Sequence, residues 1–320
     1  AVQNAPAHIE RIYRQVRKEA DRISPGKPIL IGESGWPSQG KQRGWAIPSV
    51  VNEAAFIRGL LKVAADNKFD VNIVEAFNQP WKNELEGVVG ANWGLFAADR
   101  TEVFPLTGKV YENANWFDEF LIATLLMALT TLCYAKKLQG LSTPKLVAFL
   151  IFVQILCALL VFYGYRAWYT SYDDGQRAKA IMSVFINIAL AGLLSYRGAN
   201  LLTRAKTSSS VITALDALYI LVFAYTLYKT YLLAVEGRYV SYPFEASAIP
   251  VVGLLGLFGL RCLSVRFALS NFDFNGLIGR HPEINERNQQ IGWLMLLYMA
   301  GLVAGEIKGF MVGSDFILAY

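Results

Sequence analysis

Residues Ile29-Leu30-Ile31-Gly32-Glu33-Ser34-Gly35-Trp36-Pro37-Ser38 form a short apolar run that stops at a carboxylate and gives way to Gly, Trp and Pro. A buried apolar run bounded by such residues predicts a strand, and Glu33 then stands where the strand meets a loop. In β/α barrels the carboxyl ends of the strands carry the catalytic side chains, so a strand that ends in an acid is a catalytic address.

The flanking pattern alternates helix and strand. Upstream, Ile9, Ile12, Val16, Ala20 and Ile23 recur at helical spacing over His8 to Ser24, and Pro25-Gly26 ends that helix. The strand Pro28 to Glu33 follows, then an irregular loop from Ser34 to Pro48. Ser49 is placed to cap a second helix, with Glu53 in its first turn and Val50, Ala54, Ile57, Leu61 and Ala64 on one face. A second strand, Val71 to Phe77, also carries an acid and runs into a polar cluster: Glu75-Ala76-Phe77-Asn78-Gln79-Pro80-Trp81-Lys82. Helix, strand, helix, strand is a piece of a parallel α/β sheet or barrel.

Beyond about residue 117 the chain changes character. Trp36, Trp45, Trp81, Trp93 and Trp116 precede that point, whereas long uncharged apolar runs appear only after it. Six candidate spans follow, at about Phe120–Ala135, Leu146–Tyr165, Ala180–Tyr196, Val211–Val235, Ser247–Leu263 and Ile291–Ala304, with Tyr and Trp near their ends. The expectation is residues 1–117 as an α/β unit and 118–320 as an all-α polytopic transmembrane domain. The first 117 residues hold 14 Lys+Arg and 13 Asp+Glu, a net of +1, so +4 of the total +5 lies in the second part. Lys136, Lys137, Lys145, Arg197, Arg204, Lys206, Arg261, Arg266, Arg280 and Arg287 fall in alternate loops on one side; Arg166, Arg177, Lys179, Arg238 and Lys308 fall on the other, among Asp173, Asp174, Glu236 and Glu245. The positive-inside rule then places the first 117 residues outside the cytoplasm. No basic patch points to nucleic acid. Cys133, Cys157 and Cys262 lie in or beside apolar runs, and His8 and His281 are isolated, so no metal, disulfide framework or cofactor is expected.

At Ile31 to Ser38 and at Glu75 to Lys82, with Trp93-Gly94-Leu95-Phe96 beyond, the chain resembles glycoside hydrolase family 17, the β-1,3-glucanases and related glucan transglycosylases. Its layout is similar to bacterial members that join such a domain to several membrane helices. The resemblance implies a partial (β/α)8 TIM barrel, of which residues 1–117 supply the last two strand-helix units. It implies Glu33 as the nucleophile of a retaining glycosidase, with Glu75, Lys82 and Glu86 in support, and Trp36, Trp81, Asn78 and Gln79 as substrate-binding residues. Many relatives carry acids where Asn78 and Gln79 stand.

Each residue also has a plainer reading. Glu33 serves equally as a capping or salt-bridged acid, Glu75 as a structural partner of Lys82, and the tryptophans as core. The family's proton donor is a Glu after Asn at a strand end, and Asn52-Glu53 and Asn83-Glu84 lie in a helix start and a loop. A full barrel takes about 250 residues, so the chain reads as a fragment that is inactive alone. Two functions are expected from this. One is a membrane-bound retaining β-glucan hydrolase or transglycosylase, exposed outside the cell membrane. The other is a membrane module for glucan synthesis or export whose outer domain binds polymer without catalysis. Among intramembrane polar groups, Asp216 is a candidate to pair with Lys229, Arg261 or Lys308, or to meet a passing sugar.

Overall fold

The structure, a computed structural model, describes residues 2–280 apart from Gly44, Thr170, Tyr172, 236–243 and Arg266, together with Leu297 and Ala300. The sixth expected span, Ile291–Ala304, lies outside the described residues except for Leu297 and Ala300. The chain divides into two compact units, the first running to Ala114 and the second beginning at Asn115.

In the first unit α1 (Ala5–Ile23) leads to β1 (Leu30–Ser34), α2 (Val50–Asn67) and β2 (Asp70–Ile73), and α3 (Asn83–Gly90) follows. The two strands pair in parallel, Leu30 with Asp70 and Ile31 with Val71. A parallel pair needs a crossover, and α2 supplies it. Helix α2 begins as expected, with the Asn52 amide donating to Ser49 Oγ at 3.0 Å. The Glu112 carboxylate accepts the next exposed donors, from Val50 and Val51, an acid where the helix dipole is positive. The buried face of α2 differs from expectation by one position: Leu60 is fully buried and Leu61 is exposed. The stripe that packs is Glu53, Phe56, Ile57, Leu60 and Ala64. It meets Trp36 and Phe104, with Val71, Ile73 and Leu95 at the margin. On α1, by contrast, no residue is buried, and Ile12, Val16 and Ile23 stay exposed.

The second unit is helical: α4 (Trp116–Cys133), the short α5 (Ala135–Leu138), α6 (Thr143–Tyr169), α7 (Asp174–Thr203), α8 (Ser209–Val235), α9 (Phe244–Ser264) and the short α10 (Phe274–Ile278). Five of these are long and apolar enough to cross a membrane. Phe149, Phe152, Leu156, Leu190, Leu194 and Leu257 form the centre of the bundle. Small residues on α9 set its close approach: a Cβ at Gly256 would lie 2.2 Å from the Phe152 ring and one at Gly253 2.4 Å from Leu194, the small-residue packing that membrane helices favour. Outward-facing apolar residues such as Leu125, Phe185 and Ile220 are left exposed.

The loops after α4, α7 and α9 meet at one end of this bundle. Arg197, counted as a loop residue from sequence, lies inside α7 and is 7% exposed. Its Nε donates to the Leu277 carbonyl at 2.7 Å, its Nη2 to Gly276 at 2.9 Å and its Nη1 to Thr207 Oγ1 at 2.9 Å. Asn200 donates to the same hydroxyl and accepts from Lys137. Arg204 donates to the Ser264 carbonyl and Arg261 to that of Asn271. Asp216 pairs with Arg280 at 2.6 Å, a partner other than the three expected.

Two outcomes follow. A Cβ at Gly35 would sit 2.1 Å from the Val74 carbonyl oxygen, whereas one at Gly32 meets nothing within 4 Å. Gly35→Ala should destabilise the first unit by about 2–4 kcal/mol and Gly32→Ala by under about 0.5 kcal/mol, read from thermal melts. The Glu53 carboxyl is fully buried with neither oxygen hydrogen-bonded, and burial pushes it up to about 9. The folded state therefore holds a proton that the unfolded chain releases above its ordinary carboxylate range. Stability should fall as pH rises from about 5 to about 9, by at most roughly 1.4 kcal/mol per pH unit, and Glu53→Gln should flatten that slope.

Candidate active site

The site is built where β1 and β2 end side by side. Two residues of β1, Gly32 and Glu33, lie between Ile31 and Ser34, whereas only Asn72 lies between their partners Val71 and Ile73, so the register slips by one. Glu33 lies in that irregularity. An extra residue in one strand bends it and re-aims a side chain, and Glu33 is exposed, with no hydrogen bond or ion pair to any described residue. The Val74 amide closes the pair by donating to the Ser34 carbonyl at 3.0 Å, and Gly35 then lets the chain turn against Val74.

Glu75 follows directly. Its backbone exchanges two hydrogen bonds with the segment at Trp93 to Leu95, at 2.8 and 3.0 Å. Its side chain is 15% exposed, and Oε2 accepts from Lys82 Nζ at 2.9 Å and from Gln79 Nε2. Its Oε1 is buried and has no partner. A buried carboxylate oxygen without a donor is costly unless a ligand or a further part of the fold supplies one. Lys82 also lies over the Trp81 ring, 5.9 Å from its centroid, and Trp81 is half exposed. Glu75, Gln79, Trp81 and Lys82 thus form one connected patch at the end of β2.

The other expected residues sit apart from that patch. Trp36 is buried in the core, stacked at 5.6 Å on Phe56, and its indole N–H donates to the Ile47 carbonyl at 3.0 Å. Asn78 is also buried, and its Oδ1 accepts the Gly94 amide at 2.8 Å. Gly94 is needed there, since a Cβ would lie 2.1 Å from the Asn78 nitrogen. Glu86 is exposed on α3 with its carboxylate lying over Gly90, where a Cβ would come within 2.7 Å of Oε2. Among the described residues no group of three or more His, Cys, Asp or Glu side chains is arranged to hold a metal.

Sequence reasoning passed over Glu53 as an ordinary first-turn acid. The signal was present, because Glu53 is spaced with Ile57, Leu60 and Ala64 on one helical stripe. Ser38, three residues past Gly35, lies close enough to draw Glu53 slightly downward, but its amide and hydroxyl are both spent on the Asn92 carbonyl. The buried acid therefore backs the loop that leaves β1.

Residues 2–94 match the family model described as the BtgE/BtgC glycoside hydrolase domain. The probable family 17 glucosidase SCW10 of Saccharomyces cerevisiae is 31% identical over 88 residues, which are 28% of this chain and 22% of that protein. A glucan 1,3-beta-glucosidase of Candida albicans is 35% identical over 82 residues, 25% of this chain and 26% of that one. An active-site mutant of Rhizomucor miehei beta-1,3-glucanosyltransferase in complex with laminaritriose matches at 27% identity and a TM-score of 0.28, over 35% of this chain and 38% of that one. The chain spans about a quarter of the length of these two curated relatives. The part of the chain that carries Glu33 and Glu75 is accordingly related to the family 17 glycoside hydrolases, the family that its two strand-end motifs resemble.

Proposed function

We propose that the chain is part of a membrane-bound, retaining β-glucan hydrolase or transglycosylase that works on β-1,3-linked glucan outside the cell membrane. The observation that carries this reading is the pairing of an unpartnered strand-end carboxylate, Glu33, with the Glu75-Gln79-Lys82 patch on the neighbouring strand end. The match of the same residues to a glycoside hydrolase domain supports it.

In this reading a Glu33 oxygen attacks the anomeric carbon. The glycosidic C–O bond breaks, a glycosyl ester forms, and the leaving oxygen takes a proton from an acid about 5 Å away. Water or a sugar hydroxyl then adds to the anomeric carbon, gives its proton back to that acid and releases Glu33. Glu75, held at Oε2 by Lys82 and Gln79, orders the patch beside Glu33, and the exposed face of Trp81 supports a sugar ring. Trp36 and Asn78 act from behind, by fixing the loops. Residues 1–117 form the last two strand-helix units of the barrel, and the proton donor belongs to its remainder. The uncovered Ile12, Val16 and Leu30, and two strands that pair only with each other among the described residues, are what such a part would leave open. The helices from Trp116 onward are the membrane anchor, with the basic loops in the cytoplasm.

An activated fluorosugar β-glucoside whose dinitrophenyl leaving group needs no protonation should label Glu33, found by peptide mass spectrometry. Glu33→Gln should abolish labelling and cut turnover of the intact enzyme on the order of a thousandfold or more. A label on another residue, or full turnover by the Gln variant, defeats the assignment. Lys82→Met should lower turnover by about tenfold to a hundredfold while leaving labelling at Glu33 detectable.

A further inference from the structure

At the basic end of the bundle, the chain between α9 and α10 presents apolar side chains outward. Val265, Phe267, Leu269 and Phe272 are 72, 71, 77 and 52% exposed, and Phe274 is 37% exposed. They are not on a span: α9 ends at Ser264, and the segment turns through a short 3₁₀ helix at Leu269–Asn271 before α10. Neither is the segment loosely attached. Phe267 and Phe272 both pack edge-on against Phe258, at 6.2 and 5.4 Å. Arg261 holds the Asn271 carbonyl, Arg204 holds that of Ser264, and Arg197 holds those of Gly276 and Leu277. Asp273 caps α10 through the Gly276 amide at 2.9 Å.

The segment is therefore a tethered wedge that keeps apolar side chains facing away from the protein. Leaving them in water forgoes the gain of burying apolar surface. Around it the charge is mostly positive: Arg204 and Lys206 are exposed, Arg261 is partly exposed, and of the nearby acids Asp216 is paired with Arg280 and Asp273 is engaged as a cap. Apolar side chains flanked by cations at the ends of membrane-length helices fit the boundary between lipid headgroups and acyl chains. We infer that Val265 and residues 267–274 form an interfacial anchor, inserted into the headgroup layer of the leaflet at the basic end, with Arg204 and Lys206 on the phosphates of anionic lipids. This rests on the reading of the second unit as membrane-spanning. The anchor would fix the depth and tilt of α9 in the bilayer.

The test uses the whole chain in vesicles, after replacing Cys133, Cys157 and Cys262, with an environment-sensitive NBD label at Leu269→Cys or, as control, at Leu125→Cys in the middle of α4. In phosphatidylcholine containing phosphatidylglycerol, the label at 269 should shift to the blue and be quenched most by nitroxides near the headgroup, and the label at 125 by nitroxides deep in the acyl chains. In pure phosphatidylcholine the shift at 269 should shrink, and Arg204→Gln with Lys206→Gln should remove the difference between the two lipids. Quenching at 269 by aqueous iodide alone overturns the anchor, as does protection from both iodide and nitroxides, which would mean that protein covers the segment. An equal response in both lipids overturns the phosphate contact. A label at 125 that no nitroxide reaches shows instead that the spanning reading has failed, and the anchor falls with it.

Discussion

The parallel pairing of β1 and β2 sets the segments that carry the two acids side by side, and it closes through a backbone contact rather than a side chain. The Ser34 carbonyl accepts from Val74, and Gly35 passes so near the Val74 oxygen that any Cβ would part the strands. Residues on either side inherit their positions from that contact. Glu33 is thrown outward by the register slip just before it, and Glu75 is fixed just after it by Trp93 and Leu95. Backbone hydrogen bonds are short-ranged and directional, so they hold two strand ends more tightly than an exposed ion pair would.

The residues behind the site differ from those within it in how their polar atoms are satisfied. Trp36, Asn78 and Ser38 are buried and each donates or accepts a hydrogen bond within the fold. Glu33 and Glu75 Oε1 have no partner among the described residues. Folded proteins leave few buried acceptors open, and an open acceptor at adjoining strand ends is what distinguishes this place from the rest of the first unit. Glu53 is the counter-example: its oxygens, like Glu75 Oε1, are buried and unpartnered among the described residues, but its whole side chain is sealed where that of Glu75 is 15% exposed, and the fold meets the cost by keeping Glu53 protonated.

Much of this was legible in the chain. The strand at Leu30 to Ser34, the Ser49 cap and the start of the second strand followed from apolar runs, turn residues and a capping hydroxyl, all of which act within a few residues of themselves, although β2 stops at Ile73, short of the expected Phe77. The apolar runs after residue 117 likewise announced long helices. What failed depended on distant partners. Leu60 and Leu61 differ by 100° around a helix, and only the packing of α2 against Trp36 and Phe104 decides between them. Trp36 is indistinguishable in sequence from an exposed sugar platform until Phe56 and Ile47 are placed beside it. Arg197 looked like a loop cation because its acceptors, Gly276 and Leu277, lie about eighty residues further on.

That last separation bears on how the second unit is assembled. A buried guanidinium needs acceptors around it, and two of the three that Arg197 uses, the Gly276 and Leu277 carbonyls, belong to α10. Until α10 has been made, α7 carries a cation matched only to Thr207. The end of α7 that Arg197 occupies is thus closed by a segment about eighty residues downstream, and a chain cut after α9 would leave this guanidinium with one of its three acceptors.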